Sequence, residues 1–163
     1  MKVSSTDETK IKEMHAGMIE AWNRGSGAGF AAPFASDADF IAYEGSQLRG
    51  RAQIAQFHQM LFDTSLSGTH LDGGAHFVRF LGPQLAVLHT WATTTLSGET
   101  FATPSRDSMQ LFVATRHGGY WQFDAMLNSR RITMEQQLLA DVFATLSPGD
   151  QRELKHRVAT MRH

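Results

Sequence analysis

The sequence contains no cysteine among its 163 residues. This absence excludes disulfide bonds, thiolate nucleophiles, cysteine-ligated zinc and iron–sulfur clusters together. It is typical of a cytoplasmic protein, and we expect the chain to act in that compartment. An excess of charge of one sign is also lacking, because 15 Lys and Arg residues stand against 16 Asp and Glu residues. Without a broad basic surface, nucleic acid is not an expected partner.

Long hydrophobic runs and targeting signals are missing as well. The longest apolar patch, residues 30–35, is short and is interrupted by Pro33, whereas a membrane span needs about 20 apolar residues. The polar start, residues 1–10, lacks the apolar core of a secretory signal peptide. A membrane is therefore not an expected partner either.

Sequence motifs that are typical of common enzyme and cofactor sites are also missing. The sequence has no H-E-x-x-H, G-x-S-x-G or Walker A pattern, and no nicotinamide or flavin fingerprint. The eight histidines are scattered, and His70 and His76 are not spaced as a compact metal pair. The sequence therefore predicts neither a metal site nor a cofactor.

Helical spacing of apolar residues is present in the first third of the chain. Ile11, Met14, Met18 and Trp22 recur on one helical face, which predicts a first helix that ends near Gly25. We predict a short second helix over residues 28–34, a turn at residues 36–39 and a strand over residues 40–43. A third helix begins at residue 50, and its apolar stripe contains residues 54, 57, 61 and 62.

The middle of the chain changes to the two-residue period of β-strands. Stretches rich in β-branched and aromatic residues, separated by glycine-containing turns, cover residues 70–81, 85–96, 106–115 and 120–130. They predict an antiparallel meander. Helices do not alternate with these strands, so a doubly wound parallel sheet is not expected.

Helical spacing returns after residue 134, and Ser147 is the expected N-cap of a last helix. We interpret residues 1–163 as one domain, with a core at about residues 6–131 and a C-terminal helical extension at about residues 132–163. The helices and the bent sheet are expected to enclose a cavity between them.

Several short segments carry a resemblance to a known family. They are residues 21–25 (AWNRG), 34–40 (FASDADF), 48–51 (LRGR), 118–121 (GGYW) and 128–130 (NSR). This pattern, which spans roughly residues 14–131, resembles the SnoaL-like and nuclear transport factor 2-like superfamily, and within it the SgcJ/EcaC family branch. The resemblance implies an α+β, cystatin-like cone, in which N-terminal helices pack on a curved antiparallel sheet.

The resemblance implies a range of functions rather than one. Relatives include ketosteroid isomerase, polyketide cyclases, scytalone dehydratase and members that only bind. They are usually homodimers through the outer face of the sheet. The SgcJ/EcaC branch carries an oxidoreductase label, which no residue pattern in this sequence supports.

Three residues are candidates for acid–base catalysis. His58 lies on the apolar stripe of the third helix, so it either points into the cavity or is a core histidine bonded to a carbonyl. His89 lies in the middle of a strand, where it faces either the cavity or a dimer interface. Asp39 lies near the position at which the resemblance places the general base of the isomerases, but turn chemistry at residues 36–39 is the favoured interpretation.

Candidate ligand contacts are aromatic or polar residues near the expected cavity: Trp22, Tyr43, Trp91, Arg106, Asn128 and Arg130. Arg106 suits a carboxylate or enolate oxygen, with a salt bridge to a nearby acid as the alternative. Trp22 continues the stripe of the first helix, and a position in the core is the favoured interpretation. Tyr43 offers a phenol to a ligand oxygen.

Three functions stay open at this point. The first is binding, or an accessory role, on a small apolar or aromatic molecule in the cavity. The second is proton transfer, such as isomerisation, dehydration or cyclisation, by one of the candidate bases. The third is a non-catalytic dimeric interaction module whose cavity is incidental.

Overall fold

The computed structural model describes residues 5–102, 104–132 and 134–160, and the chain divides into two compact units, Met1–Arg131 and Ile132–His163. The helices of the first unit are α1 (Ser5–Asn23), α2 (Gly27–Ala31) and α3 (Gly50–Asp63). Its strands are β1 (Phe34–Ile41), β2 (Gln47–Arg49), β3 (His70–Gly82), β4 (Leu85–Thr95), β5 (Ser108–His117) and β6 (Tyr120–Arg130). A single 3-10 turn, Pro104–Arg106, precedes β5.

The ends of the helices follow from local chemistry. Gly25 has a φ of +66°, a left-handed conformation that glycine adopts without a steric penalty, and it ends α1 as the sequence predicts. Ser26 then caps α2, because its side-chain oxygen accepts a hydrogen bond from the Gly29 amide. The second helix is shorter than predicted, since the chain is already in a strand at Phe34.

Six strands form one curved sheet in the order β2-β1-β6-β5-β4-β3. The predicted meander is confirmed for β3, β4, β5 and β6, which pair antiparallel with their neighbours in the sequence. The β1 and β6 strands pair in parallel, and this contact was not predicted. Register shifts in β3 and between β5 and β6 interrupt the ladders, and such bulges bend and twist a sheet.

The predicted turn at residues 36–39 is wrong. These residues lie inside β1, and Asp39 pairs with Arg49 on one side and with Ala125 on the other. The ladder to β6 is irregular between Phe34 and Asp39. The pairing of Asp39 on both sides, within a strand that begins at Phe34, therefore overrides the local preference of Ser and Asp for turns.

The core lies between the three helices and the concave face of the sheet. Its largest fully buried apolar side chains are Ile11, Phe34, Ile54, Leu88, Phe112 and Phe123. The inward positions of β4 are residues 86, 88, 90, 92 and 94, all of them buried, and they alternate with half-buried outward positions. This alternation fixes which side chains of the sheet face the helices.

The second unit contains α4 (Met134–Thr145) and α5 (Pro148–Thr160). The predicted cap of the last helix is confirmed, because Ser147 Oγ accepts a hydrogen bond of 3.2 Å from the Asp150 amide. Ser147 Oγ also lies 2.6 Å from an Asp150 carboxylate oxygen. Helices precede and follow an antiparallel run of strands, so the α+β class predicted from the sequence is confirmed.

Candidate functional site

A cavity of about 260 Å³ lies between the helices of the first unit and the concave face of the sheet. Most of its wall is apolar and comes from every layer of the unit. The apolar lining residues are Met18, Ile19, Trp22, Phe30, Phe40, Ala42, Phe57, Leu61, Leu66, Leu71, Ala92, Phe112 and Met126. Aromatic rings and a few polar groups around an open volume are typical of small-molecule sites.

The polar part of the wall is small and unevenly distributed. Its residues are His15, Tyr43, Glu44, His58, Ser65, Thr94, Arg106, Ser108, Gln110 and Asn128. His15, His58 and Gln110 are buried, whereas Tyr43 and Arg106 are half-buried and Glu44 is exposed. The side chains that carry a charge at neutral pH therefore lie at the solvent edge of the cavity.

His58 is held inside an aromatic cluster on α3. Its ring stacks on Phe30 with centroids 4.0 Å apart, and the rings of Trp22, Phe40 and Phe57 meet it edge-on. Nδ1 lies 2.8 Å from the Ile54 carbonyl oxygen, so Nδ1 carries the proton and donates it there. Burial lowers the pKa of His58 from its usual 6.5 to about 4, although the hydrogen bond to Ile54 and the charge of Glu44 act in the opposite direction.

The other ring nitrogen of His58, Nε2, opens on the cavity. Among the described residues, every side-chain nitrogen or oxygen that is sealed from solvent has a hydrogen-bond partner. Nε2 has none in that part of the chain, so it is not sealed, and its residue lines the cavity. Because the ring is neutral, Nε2 presents a lone pair and accepts hydrogen bonds.

His15 on α1 contributes a second neutral imidazole. It is buried against Phe112, with the two rings 5.6 Å apart and nearly perpendicular. Burial lowers the pKa of His15 from 6.5 to about 4. It makes no hydrogen bond to the described residues, and it lines the cavity.

A buried polar network crosses the sheet next to the cavity. Gln110 on β5 faces Thr90 on β4 and Asn128 on β6 across the two ladders. The buried hydroxyl of Thr90 donates a bond of 2.6 Å to Gln110 Oε1, and this fixes the orientation of the amide. The Gln110 Nε2 atom then donates to Ser108 Oγ at 2.7 Å and to Asn128 Oδ1 at 3.1 Å.

A hydrogen bond closes the edge of the site near the 3-10 turn. The Tyr43 hydroxyl donates to the Ser105 carbonyl oxygen at 3.0 Å, which ties the turn after β1 to the segment that carries Arg106. Arg106 forms no ion pair or hydrogen bond with the described residues. Two acids that could have paired with Arg106 are bonded elsewhere: Asp107 accepts a hydrogen bond of 2.6 Å from Thr93, and Asp124 accepts one of 2.7 Å from Thr115.

Five of the residues singled out from the sequence meet at the cavity: Trp22, Tyr43, His58, Arg106 and Asn128. Trp22 serves both of its predicted roles, because it packs on Phe30 and Phe62 and also lines the cavity. The Trp22 indole donates a bond of 3.1 Å to the Thr69 hydroxyl.

Four of the sequence candidates lie away from the cavity wall. His89 and Trp91 point outward from β4, where His89 stacks on Phe77 with ring centroids 4.3 Å apart. Asp39 is exposed in β1, and Arg130 is exposed at the end of β6. Asp39 and Arg130 therefore do not line the cavity on which the lone pair of His58 opens.

His15 and Gln110 were not predicted as site residues, although the position of each in the sequence pattern indicates an inward-facing side chain. His15 is four residues after Ile11 and three before Met18, so it lies on the apolar stripe of α1. Gln110 alternates with Phe112 on β5 and therefore shares its inward face. A polar residue at an inward position is the sign of a buried site.

Helices on the concave face of a curved six-stranded sheet, with a cavity between them, define a cystatin-like, nuclear transport factor 2-like fold. No family model and no curated protein matches the chain. A domain of unknown function with a cystatin-like fold from Nostoc punctiforme PCC 73102 is 46% identical. That alignment covers 98% of this chain and 99% of the other, with a TM-score of 0.86. The chain belongs to the same family as this domain.

More distant solved structures share the fold alone. An NTF2-like protein of unknown function from Pseudomonas putida KT2440 is 19% identical over 83% of this chain and 94% of its own, with a TM-score of 0.66. A ketosteroid isomerase-like protein from Erwinia carotovora atroseptica SCRI1043 is 16% identical over 80% of this chain and 100% of its own, with a TM-score of 0.64. Within the described ranges, no helix combines the length and apolar character of a membrane span.

Proposed function

We propose that the protein binds a small apolar or aromatic molecule in the cavity of its first unit. The observation that supports this proposal is the open cavity with its mainly aromatic and aliphatic wall. The wall also contains two histidines that are neutral at pH 7. Trp22, Phe57 and the methionines line this space and do not fill it. An interaction module with an incidental cavity is therefore less well supported.

The size of the cavity limits the guest. An apolar cavity of about 150 Å³ accommodates benzene, and this one measures about 260 Å³. A two-ring aromatic body is therefore a suitable probe. The Nε2 lone pair of His58 and the Nδ2 group of Asn128 supply one acceptor and one donor to orient it.

Isothermal titration calorimetry with 2-naphthamide, a neutral two-ring probe, tests this function. We expect one probe to bind per chain and Ala92→Leu to abolish binding, because Ala92 lines the cavity and a larger side chain occupies its volume. Ala16→Leu is the matched control, since Ala16 is exposed on α1. Binding that is equal in both variants, or no binding to the wild type, contradicts the proposal.

Proton transfer is a second candidate, and the cavity-facing Nε2 of His58 favours it. His89 and Asp39 lie off the cavity wall, so His58 is the base we propose for such a reaction. Its low pKa makes the imidazole a weak base, which is why binding is our first proposal. A base at this position should accelerate exchange of the methyl protons of 2-acetylnaphthalene in D₂O, observed by NMR. Equal exchange with the wild type and with His58→Phe excludes this role.

The sequence predictions of self-association, branch membership and location also stay proposals. An apolar outer-face patch supports a homodimer, and it consists of Phe77, Leu85, His89, Trp91, Met109, Leu111 and Leu127. The five matching segments support membership of the SgcJ/EcaC branch. The lack of cysteine supports a cytoplasmic location.

A further inference from the structure

We infer that the guest of the cavity carries a carboxylate, which Arg106 and Asn128 bind at the solvent edge while the apolar body lies among the aromatic rings. This inference rests on the proposed binding function and adds the chemical class of the ligand. It depends on which polar groups of the wall lack a partner.

Arg106 is a cation at the cavity edge that has no counterion in the part of the chain that the structure describes. Its side chain is half-buried and lines the cavity. No carboxylate of the described residues lies within 4.0 Å of it. The neighbouring Asp107 is already bonded to the Thr93 hydroxyl. A half-buried guanidinium with free donors is suited to a carboxylate, which it can bind through two parallel hydrogen bonds.

Asn128 supplies a second free donor. Its Oδ1 atom accepts the bond from Gln110, so the amide is oriented with Nδ2 as its open end. Nδ2 makes no hydrogen bond to the described residues, and the residue lines the same cavity as Arg106. The Gln110 network thus fixes the amide before any ligand arrives, which reduces the entropy lost on binding.

The 3-10 turn that carries Arg106 is fixed in the same way. The Tyr43 hydroxyl holds the carbonyl group of Ser105, the residue before Arg106, at 3.0 Å. Tyr43 is therefore a positioning residue rather than an anion ligand, because its hydroxyl hydrogen is already used. The Arg106 guanidinium therefore belongs to a turn that this hydrogen bond holds against the segment after β1.

The charges that face the cavity favour a single negative group. Arg106 is positive, Glu44 is negative and exposed, and both lining histidines are neutral at pH 7. Glu44 forms no ion pair with Arg106, so its carboxylate opposes an anionic ligand without neutralising the guanidinium directly. The buried part of the wall includes the apolar residues Met18, Phe30 and Phe112. A molecule with one carboxylate and one apolar body matches this division.

Calorimetry with the pair 2-naphthoate and 2-naphthamide at neutral pH tests the inference, because the two probes share a shape and differ in charge. For the wild type we expect naphthoate to bind about tenfold more tightly or better, as a charge-assisted pair at a partly buried site allows. Arg106→Gln should remove the preference, because it weakens the binding of naphthoate much more than the binding of naphthamide. Glu44→Gln should increase the preference.

Controls separate this inference from the binding function. Arg130→Gln removes an exposed arginine at the end of β6 and should leave both affinities unchanged. Arg106→Lys should keep part of the preference, and Asn128→Leu should reduce it. Equal affinities in the wild type, or a preference that survives Arg106→Gln, overturn the carboxylate inference while cavity binding stands. If neither probe binds, the binding function fails and the inference fails with it.

Discussion

His15 and His58 place two neutral imidazoles in a wall that otherwise consists mainly of carbon. In water each ring is partly charged just below neutral pH, but burial lowers the pKa of both residues from 6.5 to about 4. Neither histidine has a carboxylate partner within 4.0 Å among the described residues. Their neutrality therefore comes from desolvation, and it couples the free energy of unfolding to pH.

The stability of the protein should fall as the pH decreases from 6.5 to 4. In this window the unfolded chain binds protons at His15 and His58 while the folded chain does not, so protonation favours unfolding. The stabilisation is complete above pH 6.5 and is lost by about pH 4. The loss amounts to about 3 kcal/mol per histidine, because a tenfold change in a protonation constant is worth about 1.4 kcal/mol. Urea unfolding followed by circular dichroism at several pH values measures it.

Phenylalanine variants isolate the contribution of each ring. His15→Phe and His58→Phe keep the aromatic packing and remove the titrating group, so each should remove about half of the slope between pH 6.5 and 4. Exposed His76 provides the control, because His76→Gln should leave the profile unchanged. A double Phe variant with the slope of the wild type would show that neither histidine is responsible.

At the scale of single residues, the sequence predicted the face of His58 but not its state. The apolar stripe of α3 indicated that the ring points inward. Its tautomer depends on the Ile54 carbonyl and its pKa depends on the rings packed around it, neither of which a residue pattern contains. For Arg106, the alternative of a salt bridge is not realised among the described residues, because the nearby Asp107 and Asp124 accept hydrogen bonds from threonines instead.

At the scale of elements, long regular segments were predictable and short ones were not. The β3 and β4 strands begin at the predicted residues and end within one residue of the prediction, because long strand-like stretches bounded by glycine-containing turns are readily recognised. β1 was misread because Ser and Asp at residues 36–39 favour a turn locally. Its parallel pairing with β6 joins segments far apart in the chain, and no local signal reports such a contact.

Gly27 lies at a close contact between the helices α2 and α3. A Cβ atom there would lie 2.3 Å from the Ala55 carbonyl oxygen and 2.6 Å from the Gln59 amide nitrogen, both in the backbone of α3. Gly27→Ala should therefore push α2 away from α3 and cost about 1–3 kcal/mol of stability. It should also weaken binding of 2-naphthamide, because α2 carries Phe30, which stacks on His58. Denaturant unfolding and calorimetry measure the two effects.

Gly17 on α1 is the matched control for this substitution. It is also a helical glycine, but a Cβ atom there would meet nothing within 4 Å. Gly17→Ala should therefore stabilise the protein by up to about 1 kcal/mol, because alanine has the higher helix propensity. A loss of stability in both variants, or in neither, would contradict the assignment of close packing to the α2–α3 contact.

At the scale of the whole molecule, the sequence was sufficient for the fold because several weak signals agreed. The order of elements, the matching segments and the change of period all favoured an α+β, cystatin-like protein, and the relative at 46% identity confirms it. That the whole chain forms one domain stays a prediction. The volume of the cavity was beyond the sequence, since it is the difference between the space enclosed by the elements and the side chains that fill it.

The outer face of the sheet bears an apolar surface that a monomer rarely exposes. Phe77, His89, Leu111 and Leu127 form one row across β3, β4, β5 and β6. Phe77 is 48% exposed and Leu127 is 45% exposed. Contiguous apolar patches of this kind mark interaction sites. A second copy of the same chain, related by a two-fold axis, offers the same patch in return.

The proposed homodimer should therefore depend on the centre of the outer-face patch. In size-exclusion chromatography with light scattering, we expect the wild type at micromolar concentration to have twice the chain mass of 18.1 kDa. Leu111→Lys should give the mass of a single chain, because it places a charge in the middle of an apolar contact. Met60→Lys alters a similarly exposed apolar residue on α3 and should remain dimeric. A monomeric wild type would refute self-association, and a dimeric Leu111→Lys variant would place the interface on another face.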